Sequence, residues 1–393
     1  MRLIWIAPEC PYPANTGGRM GIWKRIINMC DDSDIYFFCI VDDDSERQYQ
    51  TEIKKYCKEV HFYNRNKGFK TVLKSLMKPY MLVSRCNNQM IMDIEKKCEE
   101  INADYIIVDT PQMMGNISKK VLCENRIVLN QHNIEFQALE NLSSTMTNKL
   151  KEMTYKFVSR QLRVYEDSLY KNANITLFTF VSSSDKEFFE KRYQLTNTLL
   201  VPVGADIEFQ KNIPITHEIS FISKLSYPAN SDSALWFVEN VWEKITDACD
   251  DAKLFLVGKD PSELLISKTL KYKNIEVTGL VDSVLPYYER SQLIIVPLLS
   301  GGGVKVKLLE ALGHGKIVVT TKKGIEGTDF KNGVEIIEED TAEGFARACI
   351  DVFEHPKKYE EIRQMAMEKM KEEYSWKGIV TMFHDKLIEG LLK

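Results

Sequence analysis

The stretch that decides the fold is VPLLSGGGVKVKLLEALGHGKIVVTTKKGIEG, residues 296–327. It begins at the end of a short apolar run, which Pro297 closes, and three glycines follow at residues 301–303. The apolar spacing of residues 305–313 then predicts an amphipathic helix, and residues 317–320 predict a second buried strand before a glycine-containing turn. A strand, a glycine loop, a helix and a second strand in this order are typical of a parallel α/β sheet.

The glycine triplet Gly301, Gly302 and Gly303 is a candidate anion site. A helix that begins directly after it leaves its first backbone N–H groups unpaired, and the helix dipole favours an anion there. Glycines have no side chain to keep a phosphate away from the backbone. The N–H groups from Gly303 through Val304 to Lys305 are therefore the expected donors. The alternative is a plain turn that is glycine-rich for packing, since neither a Walker P-loop nor a GxGxxG pattern is present.

Charged side chains in the predicted helix add to this hypothesis. Lys305 and Lys307 place positive charge in the first turn, where it opposes the helix dipole, and a doubly charged ligand would offset that cost. Being two residues apart, they cannot both face one phosphate. Glu310 is placed to accept hydrogen bonds from a polyhydroxyl ligand such as ribose. Its alternative role is a solvent-facing charge that pairs with Lys307.

Composition excludes several classes of function. The chain has 393 residues, 44% of them hydrophobic, and a net charge of −4, which favours a two-domain globular protein without a general attraction to nucleic acid. Nine cysteines without a regular pattern indicate a reducing, cytoplasmic environment. No histidine stands with cysteine or aspartate at ligand spacing, so we expect no metal and no other cofactor. The opening MRLIWIAP is too short an apolar run for a signal peptide, and no run is long enough to span a membrane.

Short apolar strands alternate with helical stretches along the whole chain. This pattern predicts an α/β protein with two doubly wound, Rossmann-like domains, each built on a parallel sheet. We expect an N-terminal domain at residues 1–205, a linker at 206–217, a C-terminal domain at 218–374, and a last helix at 375–393 that crosses back to the first domain. Parallel sheets bind ligands at the carboxyl ends of their strands, so the site is expected in a cleft that the two domains face.

Residues 54–78 are unusually basic, with apolar side chains between the charges. This composition fits a surface that contacts an anionic membrane. It also fits a solvated helix face with ordinary core contacts, because the apolar residues do not form one clean stripe. The basic residues are Lys54, Lys55, Lys58, Arg65, Lys67, Lys70, Lys74 and Lys78.

Four segments together resemble the glycosyltransferases with the GT-B fold, specifically the retaining enzymes of family four. They are PYPANTGGRMGIWKRI at residues 11–26, LNQHNIE at 129–135, FISKLSYPANSDSALWFVENVW at 221–242, and the glycine-rich stretch quoted above. The resemblance covers nearly the whole chain. The last segment is the most specific, and the first two are weak when taken alone.

The resemblance implies roles for residues of the first domain. Gly17, Gly18 and Arg19 match a glycine-containing loop that lies near the donor phosphate and the acceptor. His132 matches a histidine near the transferred sugar, where it would donate or accept a hydrogen bond rather than act as a nucleophile. The alternatives are a surface arginine and a structural histidine at the end of an apolar strand.

The resemblance also assigns residues of the second domain. Glu310 matches the second of two acidic residues found in many relatives, while the first of those positions is occupied by Gly302. Ser223 stands where a glycine is usual, and Lys224 follows it as the candidate basic residue at the diphosphate. Gly258 is expected near the nucleotide. We therefore expect Lys224 and Glu310, with the histidine of the first domain, to act directly at the reacting groups.

A retaining hexosyltransferase that uses a nucleoside diphosphate sugar is the function that the resemblance implies. The acceptor would be a glycan or a lipid-linked intermediate of bacterial surface polysaccharide assembly, which would bring a cytoplasmic enzyme to the inner face of the membrane. Backbone N–H groups and a cation would stabilise the leaving diphosphate without a metal. The alternatives are a nucleotide-sugar epimerase with the same fold and a non-catalytic partner that binds nucleotide or glycan.

Overall fold

Apolar strands and amphipathic helices assemble into two separate β-sheets, and the strand pairings of the described residues are all parallel. The sheets belong to two compact units, Met1–Pro202 with Ile379–Lys393 (unit 1) and Val203–Gly378 (unit 2). The computed structural model describes residues 1–14, 16–144 and 149–392, without the side chains of Asn141, Leu142, Ser144 and Asn172.

Unit 1 has seven strands: β1 (Arg2–Ala7), β2 (Asp34–Val41), β3 (Glu59–Asn64), β4 (Tyr105–Asp109), β5 (Ile127–Gln131), β6 (Leu177–Phe180) and β7 (Thr198–Leu200). Their order in the sheet is β3-β2-β1-β4-β5-β6-β7. The order reverses between β1 and β4, and in a doubly wound sheet the carboxyl edge at such a reversal is where ligands bind.

Helices cover both faces of this sheet. Leu3 and Trp5 of β1 belong to one buried cluster, and Ile4 and Ile6 belong to another, because successive side chains of a strand point to opposite faces. The helices are α1 (Gly17–Met29), α2 (Gln50–Ile53), α3 (Phe69–Lys74), α4 (Tyr80–Arg85), α5 (Asn88–Ile101), α6 (Lys119–Glu124), α7 (Glu135–Ser144), α8 (Lys149–Asn172) and α9 (Ser183–Tyr193), with 3₁₀ turns at Asp44–Tyr49 and Pro111–Asn116.

Unit 2 has six strands: β8 (Glu218–Ile222), β9 (Lys253–Val257), β10 (Ile275–Gly279), β11 (Leu293–Val296), β12 (Ile317–Thr320) and β13 (Ile337–Glu338). Their order is β10-β9-β8-β11-β12-β13, which reverses between β8 and β11. One apolar cluster forms the core of this unit.

The helices of unit 2 flank its sheet in the same way. They are α10 (Pro228–Asn240), α11 (Trp242–Ala248), α12 (Glu263–Thr269), α13 (Leu285–Arg290), α14 (Val306–Gly313), α15 (Ala342–Glu354) and α16 (Glu360–Glu373), with a 3₁₀ turn at Pro356–Tyr359. A last helix, α17 (Trp376–Leu391), follows. Its residues from Ile379 on belong to unit 1, where Phe383 and Leu387 are part of the core. In the described part of the chain, no helix is both long and apolar enough to cross a lipid bilayer.

The predicted fold class, α/β with two doubly wound parallel sheets, is confirmed. One predicted boundary differs from the structure. Residues 206–217, predicted as a linker, belong to unit 2, because backbone N–H groups there donate to the carbonyls of Gly313 and His314.

Candidate active site

The loop between β11 and α14 lies at the carboxyl edge of the sheet of unit 2, beside the reversal of strand order. Gly301 and Gly303 have φ angles of 105° and 69°, a region that glycine adopts without strain. A Cβ atom added to Gly302 would meet nothing within 4 Å. At this residue the backbone is therefore open to a small anion.

The predicted donors, the backbone N–H groups from Gly303 to Lys305, lie in this loop. Among the described residues, no acceptor is paired with the N–H groups of Gly302, Gly303 or Val304. Helix α14 begins at Val306, and Lys305 before it is extended, with φ −91° and ψ 93°. The observed helix therefore starts one residue later than the helix predicted at residues 305–313. Lys305 belongs to the preceding loop instead of the first helical turn.

The side chain of Lys305 donates hydrogen bonds to carbonyl groups of its own loop. Its ammonium group donates to the carbonyl oxygen of Gly303 at 2.6 Å and to that of Gly301 at 3.4 Å. It also lies 3.6 Å from the carboxylate of Glu326, with a side chain only 6% exposed. Glu326 pairs with Lys323 as well, at 2.9 Å. The burial of Lys305 lowers its pKa. Glu326 thus holds this lysine in place.

Lys307 points toward the loop that follows β8. Its Nζ donates to Oδ1 of Asn230 at 2.5 Å and lies 5.7 Å from the centre of the Phe221 ring. Asn230 in turn donates to the carbonyl of Lys224 at 2.8 Å. Burial, and after it the charge of Lys305, lowers the pKa of Lys307 to about 8. A cation is thus held in apolar surroundings, where an anionic ligand would be bound strongly.

Glu310 lies one turn along α14 and is half-buried. Burial raises its pKa to about 7, against the opposing effect of Lys307. The hydroxyl of Tyr288 is buried without a hydrogen-bond partner, and its pKa is raised by burial and by Glu310. A solvent-facing pair with Lys307 does not fit, because Lys307 bonds Asn230. An acid and a base with pKa values displaced toward each other are typical of functional sites.

Ser223 and Gly258 shape the edge of the sheet on the other side of the reversal. Gly258 has a φ of 150°, and a Cβ atom there would lie 1.7 Å from the carbonyl oxygen of Ser223. The hydroxyl of Ser223 is buried without a partner. The side chain of Lys224 is exposed at the same edge. Nothing in the sequence predicts the role of Asn230, and Ser223 is distinguished there only by its departure from the family pattern.

In unit 1, His132 follows β5 and contacts the end of β4. Its Nε2 lies 3.3 Å from Oδ1 of Asp109, which is fully buried. Asp109 also accepts hydrogen bonds from Asn130 at 2.7 Å and from the indole of Trp5. Burial raises the pKa of Asp109, but His132, Arg25 and Asn130 outweigh it and hold the pKa below its usual value. Since a carboxylate accepts, Nε2 donates in this contact, and Nδ1 is the ring nitrogen not engaged by Asp109.

Thr110, which follows β4 at the carboxyl edge of the sheet of unit 1, has a strained backbone conformation. Its φ is 73°, which is unfavourable for a β-branched residue, and its hydroxyl is buried without a partner. Strain of this kind clusters at functional sites. Nothing in the sequence predicts the angle.

Arg19 is paired within unit 1. Helix α1 begins at Gly17, and the guanidinium of Arg19 contacts the carboxylates of Glu9 at 2.9 Å and Glu46 at 2.6 Å. A Cβ atom on Gly18 would lie 3.2 Å from the Glu9 carboxylate. The anion that the sequence leads us to expect beside Arg19 is thus supplied by the protein itself. Residue 15 of the same segment lies outside the described residues.

Comparisons with known proteins agree with this architecture. Residues 216–355 match the family model described as glycosyl transferases group 1. A curated relative from Klebsiella pneumoniae, called an uncharacterized 44.6 kDa protein in the cps region, is 22% identical over 388 residues, or 96% of this chain and 97% of the relative.

Solved structures share the whole fold at low identity. The crystal structure of a glycosyltransferase from Rickettsia africae has a TM-score of 0.68 and 12% identity, and covers 100% of this chain and 98% of that chain. The structure of Alr3699/HepE from Anabaena in complex with UDP and glucose has a TM-score of 0.61 and 13% identity, over 98% of this chain and 99% of that chain. The family match covers residues 216–355, and the two parallel sheets together with these neighbours show that the chain has the GT-B fold.

Proposed function

We propose that this protein is a glycosyltransferase that moves a sugar, with retention of configuration, from a nucleoside diphosphate sugar to a glycan or lipid-linked acceptor. The observation that carries the proposal is the set of unpaired N–H groups at Gly302, Gly303 and Val304, beside the buried Lys307. Oriented donors of this kind stabilise an oxyanion that develops as a bond breaks, and one such donor contributes about 100-fold or more to a rate.

The donor sugar nucleotide would lie along the carboxyl edge of unit 2. Its diphosphate would accept hydrogen bonds from the loop N–H groups, with Lys307 and the exposed Lys224 supplying positive charge. Its ribose hydroxyl groups would donate to Glu310, whose carboxylate is half-buried and becomes favoured once hydroxyl groups bond to it. A uridine base is supported by the Anabaena neighbour, which holds UDP.

With the donor bound in this way, the transfer replaces one bond of the anomeric carbon by another. The bond between the anomeric carbon and the diphosphate oxygen breaks, and the acceptor oxygen bonds the same carbon from the same face. The acceptor's proton passes to the leaving diphosphate oxygen. His132, with Nδ1 free to accept and Nε2 fixed by Asp109, would hold a sugar hydroxyl in place.

A polysaccharide-type acceptor is supported by the cps-region relative. If the acceptor is lipid-linked, we propose that the enzyme works at the inner face of the cytoplasmic membrane. In the described chain no group of three or more His, Cys, Asp or Glu side chains is placed to hold a metal ion. We propose that backbone donors and lysines carry the diphosphate charge.

Product analysis tests the reaction. The enzyme is incubated with UDP-sugars and a glycan acceptor, and ¹H NMR follows the anomeric proton while UDP is quantified. The proposal expects one UDP released per glycosidic bond, with the anomeric configuration of the donor kept. An inverted anomer contradicts retention. Epimerised donor without glycoside points to the epimerase, and nucleotide binding without turnover of any donor points to the non-catalytic partner.

A further inference from the structure

The segment that begins with α3 turns its apolar side chains to solvent. Phe69, Val72, Leu73 and Leu76 follow the i, i+3, i+4, i+7 spacing of one helix face and, together with Met77, are between 51% and 88% exposed. In a globular protein such a stripe packs on the core. Its exposure here indicates a surface that is covered by something other than the rest of the chain.

A second exposed stripe lies beside it on α8. Leu150, Met153, Phe157 and Val164 recur at three-, four- and seven-residue steps and are 48% to 76% exposed. The side-chain amide of Gln161 donates to the carbonyls of Ser75 and Leu76, at 3.0 and 3.1 Å. These bonds hold α8 next to the end of the first stripe. We call the two stripes together the α3–α8 surface.

Basic residues surround the first stripe without acidic ones. Between Glu59 and Asp93 the chain has six lysines and arginines and no acidic residue, although its net charge is −4. Lys70, Lys74 and Lys78 form no ion pair among the described residues, and with Leu82 and Val83 they line a cavity of about 720 Å³. This side of the surface therefore carries uncompensated positive charge.

Two lysines earlier in the basic segment differ in this respect. Lys55 pairs with Glu52 at 2.5 Å, and Lys58 pairs with Asp34 at 3.2 Å. They lie before β3, away in sequence from the exposed apolar side chains. The uncompensated charge and the exposed apolar stripe thus coincide only from Phe69 onward.

We propose that the α3–α8 surface docks on an anionic lipid bilayer. The apolar side chains enter the boundary between headgroups and acyl chains, and Lys70, Lys74 and Lys78 contact lipid phosphates. Amphipathic segments with lysines beside apolar side chains bind membranes in this way. A symmetric contact with a second copy fits less well, because it would bring the same uncompensated lysines together.

Sedimentation with lipid vesicles tests the docking without donor or acceptor. The full chain is mixed with vesicles of phosphatidylcholine containing about 30% phosphatidylglycerol, and with pure phosphatidylcholine vesicles. Binding is expected on the anionic vesicles and at least about tenfold weaker on the neutral ones. High salt is expected to weaken it further, because it screens exposed charges.

Variants of this surface and matched control variants test whether vesicle binding is specific to the α3–α8 surface. One variant combines Phe69→Ser with Leu73→Ser, and the other combines Lys70→Gln, Lys74→Gln and Lys78→Gln. Each variant is expected to bind anionic vesicles at least about tenfold more weakly. The controls change comparable exposed residues of unit 2: Leu264→Ser with Leu270→Ser, and Lys268→Gln with Lys271→Gln and Lys273→Gln. These should bind like the wild type, and all variants should keep its thermal unfolding temperature.

Two results would overturn the proposal. One is a folded wild-type chain that stays unbound on anionic vesicles, or controls that lose as much binding as the surface variants. The other is a concentration-dependent dimer that the Phe69→Ser/Leu73→Ser variant abolishes while vesicles leave the wild type unbound. That second result would assign the surface to self-association. Neither depends on whether the nucleotide site is correctly assigned.

Discussion

The ammonium group of Lys305 donates a 2.6 Å hydrogen bond to the carbonyl of Gly303, two residues earlier in its own loop. A trans peptide points its N–H group opposite to its carbonyl. The N–H group of Val304, which shares that peptide with Gly303, is therefore directed away from the buried lysine. The same holds for the N–H group of Gly302, because Lys305 also donates to the carbonyl of Gly301 at 3.4 Å.

Replacing Lys305 by methionine tests this role. Lys305→Met removes the donor that holds both carbonyls, and the loop N–H groups lose their orientation. We expect UDP affinity to fall about tenfold or more, since hydrogen bonds from charged groups contribute roughly 1.5–3 kcal/mol. Isothermal titration calorimetry measures it. The matched control is Lys323→Met, because Lys323 pairs with the same Glu326 but donates to neither loop carbonyl. Equal losses in the two variants would refute the role.

Nucleotide affinity should depend on pH through Lys307. Its pKa is lowered to about 8 by burial, and a bound diphosphate would raise it again. Binding therefore takes up a proton at high pH, so the contribution of Lys307 to affinity is full below about pH 8 and decreases as the pH rises above it, by at most about tenfold per pH unit. Titrations of UDP between about pH 8 and 10 measure this, because Glu310, whose pKa is raised to about 7, is mostly ionised in that range. Lys307→Met should bind weakly with a flat profile, and a wild-type affinity that rises with pH would contradict the assignment.

Two glycines should respond differently to the same added methyl group. In Gly302→Ala the Cβ meets nothing within 4 Å, so the unfolding temperature should stay unchanged while UDP affinity falls about tenfold by obstruction. In Gly258→Ala the Cβ would overlap the Ser223 carbonyl at 1.7 Å, so the protein should lose about 3 kcal/mol or more of stability. Thermal denaturation and calorimetry distinguish the two. Unchanged UDP binding in Gly302→Ala would argue against phosphate contact at this loop.

Asp109 should act through His132. Asp109→Asn keeps the size of the side chain but removes the carboxylate that fixes the protonated Nε2. We expect kcat to fall about 10- to 100-fold with the KM for the donor nearly unchanged, as when the partner of a ligand-positioning histidine is lost. His132→Ala should lose at least as much, and the double variant no more than His132→Ala alone. Asp93→Asn, which alters a hydrogen bond to Tyr63, serves as the control. Additive losses in the double variant would show that the two residues act separately.

Periodicity predicted the framework because the strands are continuous apolar runs. Residues 3–7, 105–108 and 293–296 are such runs, and each lies within an observed strand, since buried parallel strands leave little freedom in composition. The linker was misplaced for a physical reason. Its polar residues attach to unit 2 by backbone hydrogen bonds to Gly313 and His314, and such bonds leave no mark on side-chain pattern.

The glycine loop was recognisable from spacing, but the directions of its lysines were not. Sequence reasoning placed Lys305 in the first helical turn, whereas its side chain folds back on its own loop. The positive charge of Arg19 is paired with the carboxylates of Glu9 and Glu46, which lie 10 and 27 residues away in the chain. The strained Thr110 and the unpartnered Ser223 hydroxyl likewise arise from tertiary packing. Motif spacing carries no information of this kind.

Nucleotide binding tests the central claim most directly. The wild-type chain and Gly302→Val, whose side chain extends into open space, are titrated calorimetrically with UDP, GDP, ADP and CMP. We predict that one nucleoside diphosphate, expected to be UDP, binds the wild type at one site per chain and binds the folded variant at least about tenfold more weakly. A wild type that binds none of the four, or a folded variant that binds as tightly as the wild type, would contradict the assignment of the loop at Gly301–Gly303 as the diphosphate site.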